Sequence, residues 1–265
     1  MSTNKQFVEP TAEEIAAYFD GFSPVDNFNS RVAPRARFLV DSADGESNTD
    51  SQAQVGKDSP TVIAFGDGVS KKNRDAVMWS VAWAEYAAGK SHDINEQPIE
   101  WLEEYAKALF KCGWLMLGGH EYSEYTTTST SLTMDSVVLE LIGAIAGPNA
   151  ATVVQLLSLT LDKMQGNAPL MQLFERNSKR GRRGTFRVMP CVESAEGIPI
   201  TYLVSMHCEY SDETGGVLFW KWEVRKLSIR RLAKGVEFFR GVYEQAEPKI
   251  KSKLGDALDD YFDGF

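Results

Sequence analysis

A chain of 265 residues with 43 % apolar and 11 % aromatic side chains has enough material for a full core, as one large domain or two small ones. Its 37 acidic and 28 basic residues leave a net charge of −9, which opposes loose attraction to nucleic acid or anionic lipid and excludes both as default partners. Three scattered cysteines, Cys112, Cys191 and Cys208, suit neither a disulfide framework nor a zinc knuckle and fit folding in a reducing cytosol.

The opening MSTNKQFVEPTAEE has neither the charged nor the apolar region of a signal peptide, so cytoplasmic synthesis is expected, with any release left to a dedicated machine or to lysis. Thr11 and Glu14 fit a capping box. Ile15 and Phe19 then share one face of a short helix that runs into the pentapeptide Tyr18-Phe19-Asp20-Gly21-Phe22. So short a helix is marginal alone and needs a surface, its own or a neighbour's. Residues 41–60 hold almost no large apolar side chain and read as a flexible tether, which makes residues 1–40 a separate arm.

The body is expected from 61 to 240. It opens with a strand, Thr61–Phe65, a Gly66-Asp67-Gly68 turn, and a helix capped by Ser70 that runs to about Ala88 and ends at Gly89. Pro98 starts a second helix, stopped at Gly113. Trp114–Thr128 reads as strand from its aromatic and β-branched content. Helices follow at about Asp135–Ala146 and Asn149–Met164, and a shorter one from Pro169 ends in the basic turn Lys179–Gly184. Strands are expected at Thr185–Val192, Ile200–Tyr210 and Val217–Val224, with Lys226–Phe239 undecided. Tyr202, Val204, Met206 and Cys208 share one strand face, as do Trp220 and Trp222 on the next strand. Residues 241–265 read as a helix and a tail. Helices first and an antiparallel meander later give an α+β domain with helices on one face of a mainly antiparallel sheet.

The sequence closes on Tyr261-Phe262-Asp263-Gly264-Phe265, a second copy of the pentapeptide. A five-residue repeat arises by chance at roughly a few per cent, and one with three aromatics is rarer. Aromatic anchors carry large contact area at low entropy cost, so one groove could accept either copy. Both copies are therefore expected to be docking peptides, with a protein as the partner: a second copy of this chain, or a shell or receptor groove.

Chemistry-bearing patterns are weak. Adjacent strand residues point to opposite faces, so His207 and Cys208 cannot hydrogen-bond each other directly, and Cys208 reads as a small buried hydrophobe before a nucleophile. His120 after Gly118-Gly119 reads as an ordinary turn before it reads as a ligand site. The Lys179–Gly184 run reads as a solvated hairpin before an anion site. No phosphate loop, metal spacing or nucleophile elbow occurs, so no catalytic residue, metal or cofactor is expected. In Val137–Leu161 the only charge is Glu140. The stretch is long enough to cross a bilayer, but the Gly147-Pro148-Asn149 break makes it two short helices, read as a buried pair before an inserting hairpin.

The succession Trp101, Tyr105, Gly113-Trp114, Met134-Asp135-Ser136-Val137-Val138-Leu139-Glu140, Phe186, Pro190-Cys191 and Leu218-Phe219-Trp220-Lys221-Trp222 resembles a group of small microbial α/β proteins, virulence factors and insecticidal toxins of the Erwinia virulence factor type, over about residues 61–243. The resemblance implies action on a host or at a membrane, and a covalent fatty acyl group on a strand cysteine, for which Cys191 and Cys208 are the candidates. Cys191, after Pro190 at a strand end, is expected to be the more reachable. Two classes of function fit: a non-enzymatic toxin or effector that docks through its Tyr-Phe-Asp-Gly-Phe peptides and acts at host membranes, and a self-assembling or packaged protein without toxicity. A thioesterase using Cys208 is a weaker third.

Overall fold

Strand β3 (Thr61–Phe65) is buried along its whole length, and this decides the architecture. A strand apolar on both faces must be covered on both faces. The computed structural model describes residues 9–24, 35–40, 51–56, 60–116, 121–126, 133–210 and 227–255. Among these, one mixed sheet has the order β1-β2-β3-β7-β8-β9-β4. It is built from β1 (Arg35–Leu39), β2 (Gln52–Gly56), β3, β4 (Trp114–Met116), β7 (Arg183–Glu193), β8 (Pro199–Tyr210) and β9 (Leu227–Phe238), with β5 (Ser123–Glu124) beside β9 and β6 (Lys179–Arg180) beside β7. Every pairing is antiparallel except β3 with β7, where Thr61 stands opposite Arg187 and Phe65 opposite Cys191.

The fold is α+β with a mainly antiparallel sheet, as the sequence predicts, but the helices divide between both faces. On one side α1 (Ala12–Asp20), α2 (Lys71–Ser91), α3 (Pro98–Lys111) and α7 (Arg240–Leu254) bury Trp79, Trp83, Tyr105 and Phe19 against Ile63, Phe65, Met189 and Leu203. On the other, α4 (Met134–Ile145), α5 (Ala150–Gln165) and α6 (Ala168–Ser178) bury Val137, Leu157 and Phe174 against Val62, Ala64, Phe186, Val188 and Val204. The expected single helical face followed from reading the meander alone. The unbroken apolar run Thr61–Phe65 carried the contrary signal.

Two boundaries are corrected. Residues 52–56 lie inside the expected tether yet form β2, paired with β1 on one edge and β3 on the other, with Ala53 and Val55 fully buried. Backbone ladders on two sides hold a strand whose two glutamines, alanine, valine and glycine do not announce it. Within the expected arm 1–40, α1 and β1 likewise belong to the body, since β1 joins the sheet and Ile15 and Phe19 of α1 are 1 % and 0 % exposed. The third meander strand is β9, where the sequence was undecided; Val217–Val224, with Trp220 and Trp222, lies outside the described residues.

Local features explain the remaining shifts. Ser70 stands at the start of α2, but its hydroxyl donates to Glu193 Oε2 at 2.8 Å, and its N–H donates to the same oxygen at 2.8 Å. The helix start is thus met by a carboxylate from β7, a favourable charge for that end of the helix dipole. α2 runs through Gly89 to Ser91. Gly113, with φ +87°, must be glycine, because a Cβ there would lie 2.7 Å from the Phe239 carbonyl. The α4–α5 hairpin is the expected pair of short helices, joined by a turn at Gly147–Asn149. Tyr202 fastens that turn to the sheet, donating to Ala146 O at 3.1 Å and accepting from Asn149 Nδ2 at 3.1 Å.

Candidate functional site

The first pentapeptide ends helix α1. That helix forms because Thr11 Oγ1 accepts from Glu14 N at 3.2 Å while Glu14 Oε2 accepts from Thr11 N at 2.9 Å, closing the predicted capping box, and because Glu13 and Glu14 put negative charge in its first turn. Gly21 follows the last helical residue, and Phe22 N donates back to Phe19 O at 3.1 Å. This turn brings Tyr18, Phe19 and Phe22 together on one aromatic residue of the body.

That residue is Trp83 of α2. Its ring lies 4.7 Å from Phe19, 5.0 Å from Phe22 and 6.3 Å from Tyr18, centroid to centroid, with Tyr18 and Phe22 edge-on. Tyr86, one turn along α2, extends the wall: its ring is 6.4 Å from Phe22, and its hydroxyl donates to Ser23 O at 3.3 Å. Helix α7 supplies the other wall and two cations. Lys249 Nζ is 3.6 Å from Asp20 Oδ1, and Lys253 Nζ donates to the Phe22 carbonyl. Lys251 lies over Trp79 at 5.5 Å. Burial pushes the Tyr18 hydroxyl well above the usual tyrosine range, with Cys112 nearby adding to the effect.

Each residue of the pentapeptide has its own surroundings. Phe19 is the fully buried anchor, Tyr18 and Phe22 are half-buried brackets, Asp20 meets a cation, and Gly21 is exposed at the turn. Burying Phe19 contributes about 2–3 kcal/mol gross, whereas the exposed Asp20–Lys249 pair contributes at most about 1 kcal/mol and serves register. The second copy, Tyr261–Phe265, lies outside the described residues.

Sequence reasoning found the peptide and missed the surface it packs on, which comes from two helices read as ordinary amphipathic elements. It placed Ile15, buried one turn before Phe19, on the right helix face, but missed its counterpart in the tail. The signal was present, because Leu258 stands three residues ahead of Tyr261 as Ile15 stands three ahead of Tyr18.

The other candidates are placed as follows. Cys191 and Cys208 are both fully buried and lie in opposite cores, Cys191 beneath α2 and Cys208 beneath α4–α6. Cys191 is therefore not the reachable thiol expected from its place after Pro190, because β7 runs two residues past it and pairs on both edges. Burial pushes its thiol up to about 12 and that of Cys208 higher still. His207 points away from Cys208, with Nδ1 3.0 Å from Thr185 Oγ1, and burial lowers its pKa. The Lys179–Gly184 run is the short exposed hairpin β6–β7, turned at Gly181 with φ +56°. His120 lies outside the described residues.

One buried polar cluster was not foreseen. Arg187, 1 % exposed, donates to Thr61 Oγ1 from Nε at 3.0 Å and from Nη2 at 2.7 Å, lies 3.5 Å from Glu85 of α2, and stacks over Trp101 at 4.3 Å and Tyr105 at 5.3 Å. On the next strand Ser205 meets the Tyr122 hydroxyl at 2.7 Å, a phenol that burial raises to about 12. The cluster ties β3, β7, α2 and α3 together.

Among the described residues no three His, Cys, Asp or Glu side chains group as metal ligands, and no helix is long and apolar enough to cross a membrane. No protein-family model and no curated protein matches this chain.

Proposed function

We propose that the protein is a non-catalytic docking protein whose α2–α7 surface is a receptor for the Tyr-Phe-Asp-Gly-Phe peptide, and that it assembles through this recognition. The observation that carries the reading is the seating of the first copy around Trp83, with every side chain of the pentapeptide given a distinct environment. A repeated peptide together with one groove that fits it is the composition of a linear-motif interaction. The reading favours the assembly class. Effector action on a host, and acylation of Cys191 or Cys208, rest on the resemblance to virulence factors alone.

The test is a titration of a labelled synthetic peptide, DALDDYFDGF, into the full chain and into its Phe22→Ala variant, whose half-buried ring can be removed without opening the centre of the core. Saturable binding is expected to both, weaker for the natural chain, where the resident copy competes, and severalfold tighter for the variant. A peptide that binds neither protein, or binds no better than a scrambled sequence, overturns the proposal.

A further inference from the structure

The likeness between the two peptides extends beyond the pentapeptide, and the structure shows why the extension matters. In α1 the residue buried together with Phe19 is Ile15, at 1 % exposure. The tail carries Leu258 at the same spacing, so both segments read apolar-x-x-Tyr-Phe-Asp-Gly-Phe. The positions between also correspond in burial. Ala17 is exposed and Ala16 half-buried, and the tail places Asp260 and Asp259 there, where carboxylates stay in reach of water. Only the side chains that the groove buries are kept apolar. The tail further carries four acidic residues, Asp256, Asp259, Asp260 and Asp263, and the α7 wall presents Lys249, Lys251 and Lys253.

We infer that the segment Leu258–Phe265 of a second copy of this chain is the alternative occupant of the α2–α7 groove, and that the chain's own α1 is its intramolecular competitor. This rests on the proposed docking function and adds the partner and the regulation. Each chain holds one described groove and two ligands for it, so with α1 seated the tail is surplus. Docking within the same chain is constrained by the short connection from α7. Leu254 is buried at the end of α7, next to Lys253, which holds the Phe22 carbonyl. A seated copy would need Leu258 about 10 Å up the peptide helix from that point. The chain from Leu254 to Leu258 spans at most about 14 Å when straight, so in-chain seating needs a connection close to fully extended although Gly255, with φ +82°, turns the chain at its start. A second copy has no such restraint.

Tail-into-groove contact between copies is heterologous, so it propagates into rings or filaments rather than closing a two-fold dimer. The resident α1 competes at an effective concentration on the order of mM, so dilute chains stay single and assembly begins when chains are crowded or α1 is loosened.

The test is cross-linking of the full chain carrying Lys249→Cys and Asp263→Cys with a short bismaleimide, since Asp263 would take the place of Asp20 beside Lys249. The native cysteines Cys112, Cys191 and Cys208 are buried and do not compete. Covalent dimers and a ladder above them are expected, and adding Phe22→Ala should raise the cross-linked fraction severalfold. A bond formed only within one chain overturns the second-copy assignment. No bond in either background overturns tail occupancy, even where the synthetic peptide binds. A fraction unchanged by Phe22→Ala overturns the competition.

Discussion

Phe19 and Trp83 face each other at 4.7 Å between ring centroids, tilted by 40°, and both are fully buried. A side chain from the first pentapeptide is therefore buried as deeply as the core of the body, so displacing α1 uncovers Trp83 unless another peptide takes its place. Phe19→Ala is expected to cost about 3–5 kcal/mol of folding stability, and Phe22→Ala, half-buried at the groove mouth, about 1–2 kcal/mol. Chemical denaturation of the two variants decides this. Near-equal small losses would mean that α1 rests on the body without being part of it.

Cysteine chemistry gives the second prediction. A reactive thiol needs access and a depressed pKa, and Cys191 and Cys208 have neither, with burial raising both. Native-state alkylation at neutral pH should label neither until the chain unfolds globally, and then both at one rate. A fatty acyl chain on Cys208 would also have to displace Phe186, Val204 or Met206 from a close-packed core. Intact mass should show no hydroxylamine-removable adduct, and finding one would revive the lipid-linked reading.

How much of this was legible from the sequence depended on whether the signal was local. The capping box of α1, Pro98 at the start of α3, the Gly147-Pro148 break and the alternation of Tyr202, Val204 and Met206 are written within a few residues, and they fold as read. The strand at 52–56 was missed because its evidence is the pairing partners on either side. The groove was missed for the same kind of reason. Trp83 and Lys249 are 166 positions apart in the chain, and nothing local marks either as half of one site.

Arg187 and Glu85 give a prediction about coupling. Glu85→Leu leaves the buried guanidinium without its carboxylate and is expected to cost about 3–5 kcal/mol. Arg187→Lys is not conservative here, because lysine cannot both stack on Trp101 and make two bonds to Thr61. The double variant Glu85→Leu with Arg187→Met should be more stable than Glu85→Leu alone, since no charge is then left buried. Additive losses in a double-mutant cycle would show that the two groups do not sense each other.

The last prediction concerns acid. Burial works against the charge on Glu193, but hydrogen bonds from Ser70 and Asn73, with Arg240 nearby, outweigh it and hold the carboxyl below its ordinary range. Its folded pKa is depressed, so the stability it contributes is complete above the ordinary glutamate value and is lost as pH falls through the folded value. Burial likewise lowers His207, against the pull of Glu209. The unfolded chain takes up that proton from about pH 6.5 downward while the folded chain resists, so stability begins to fall there. Two successive losses on acidification are expected, the first set by His207 and the second by the Glu193 clip that joins β7 to the starts of α2 and α7. Urea midpoints across a pH series should show His207→Gln flattening the upper segment and Glu193→Gln flattening the lower. If each variant merely lowers the curve without changing its slope, the two groups pack but do not titrate with folding.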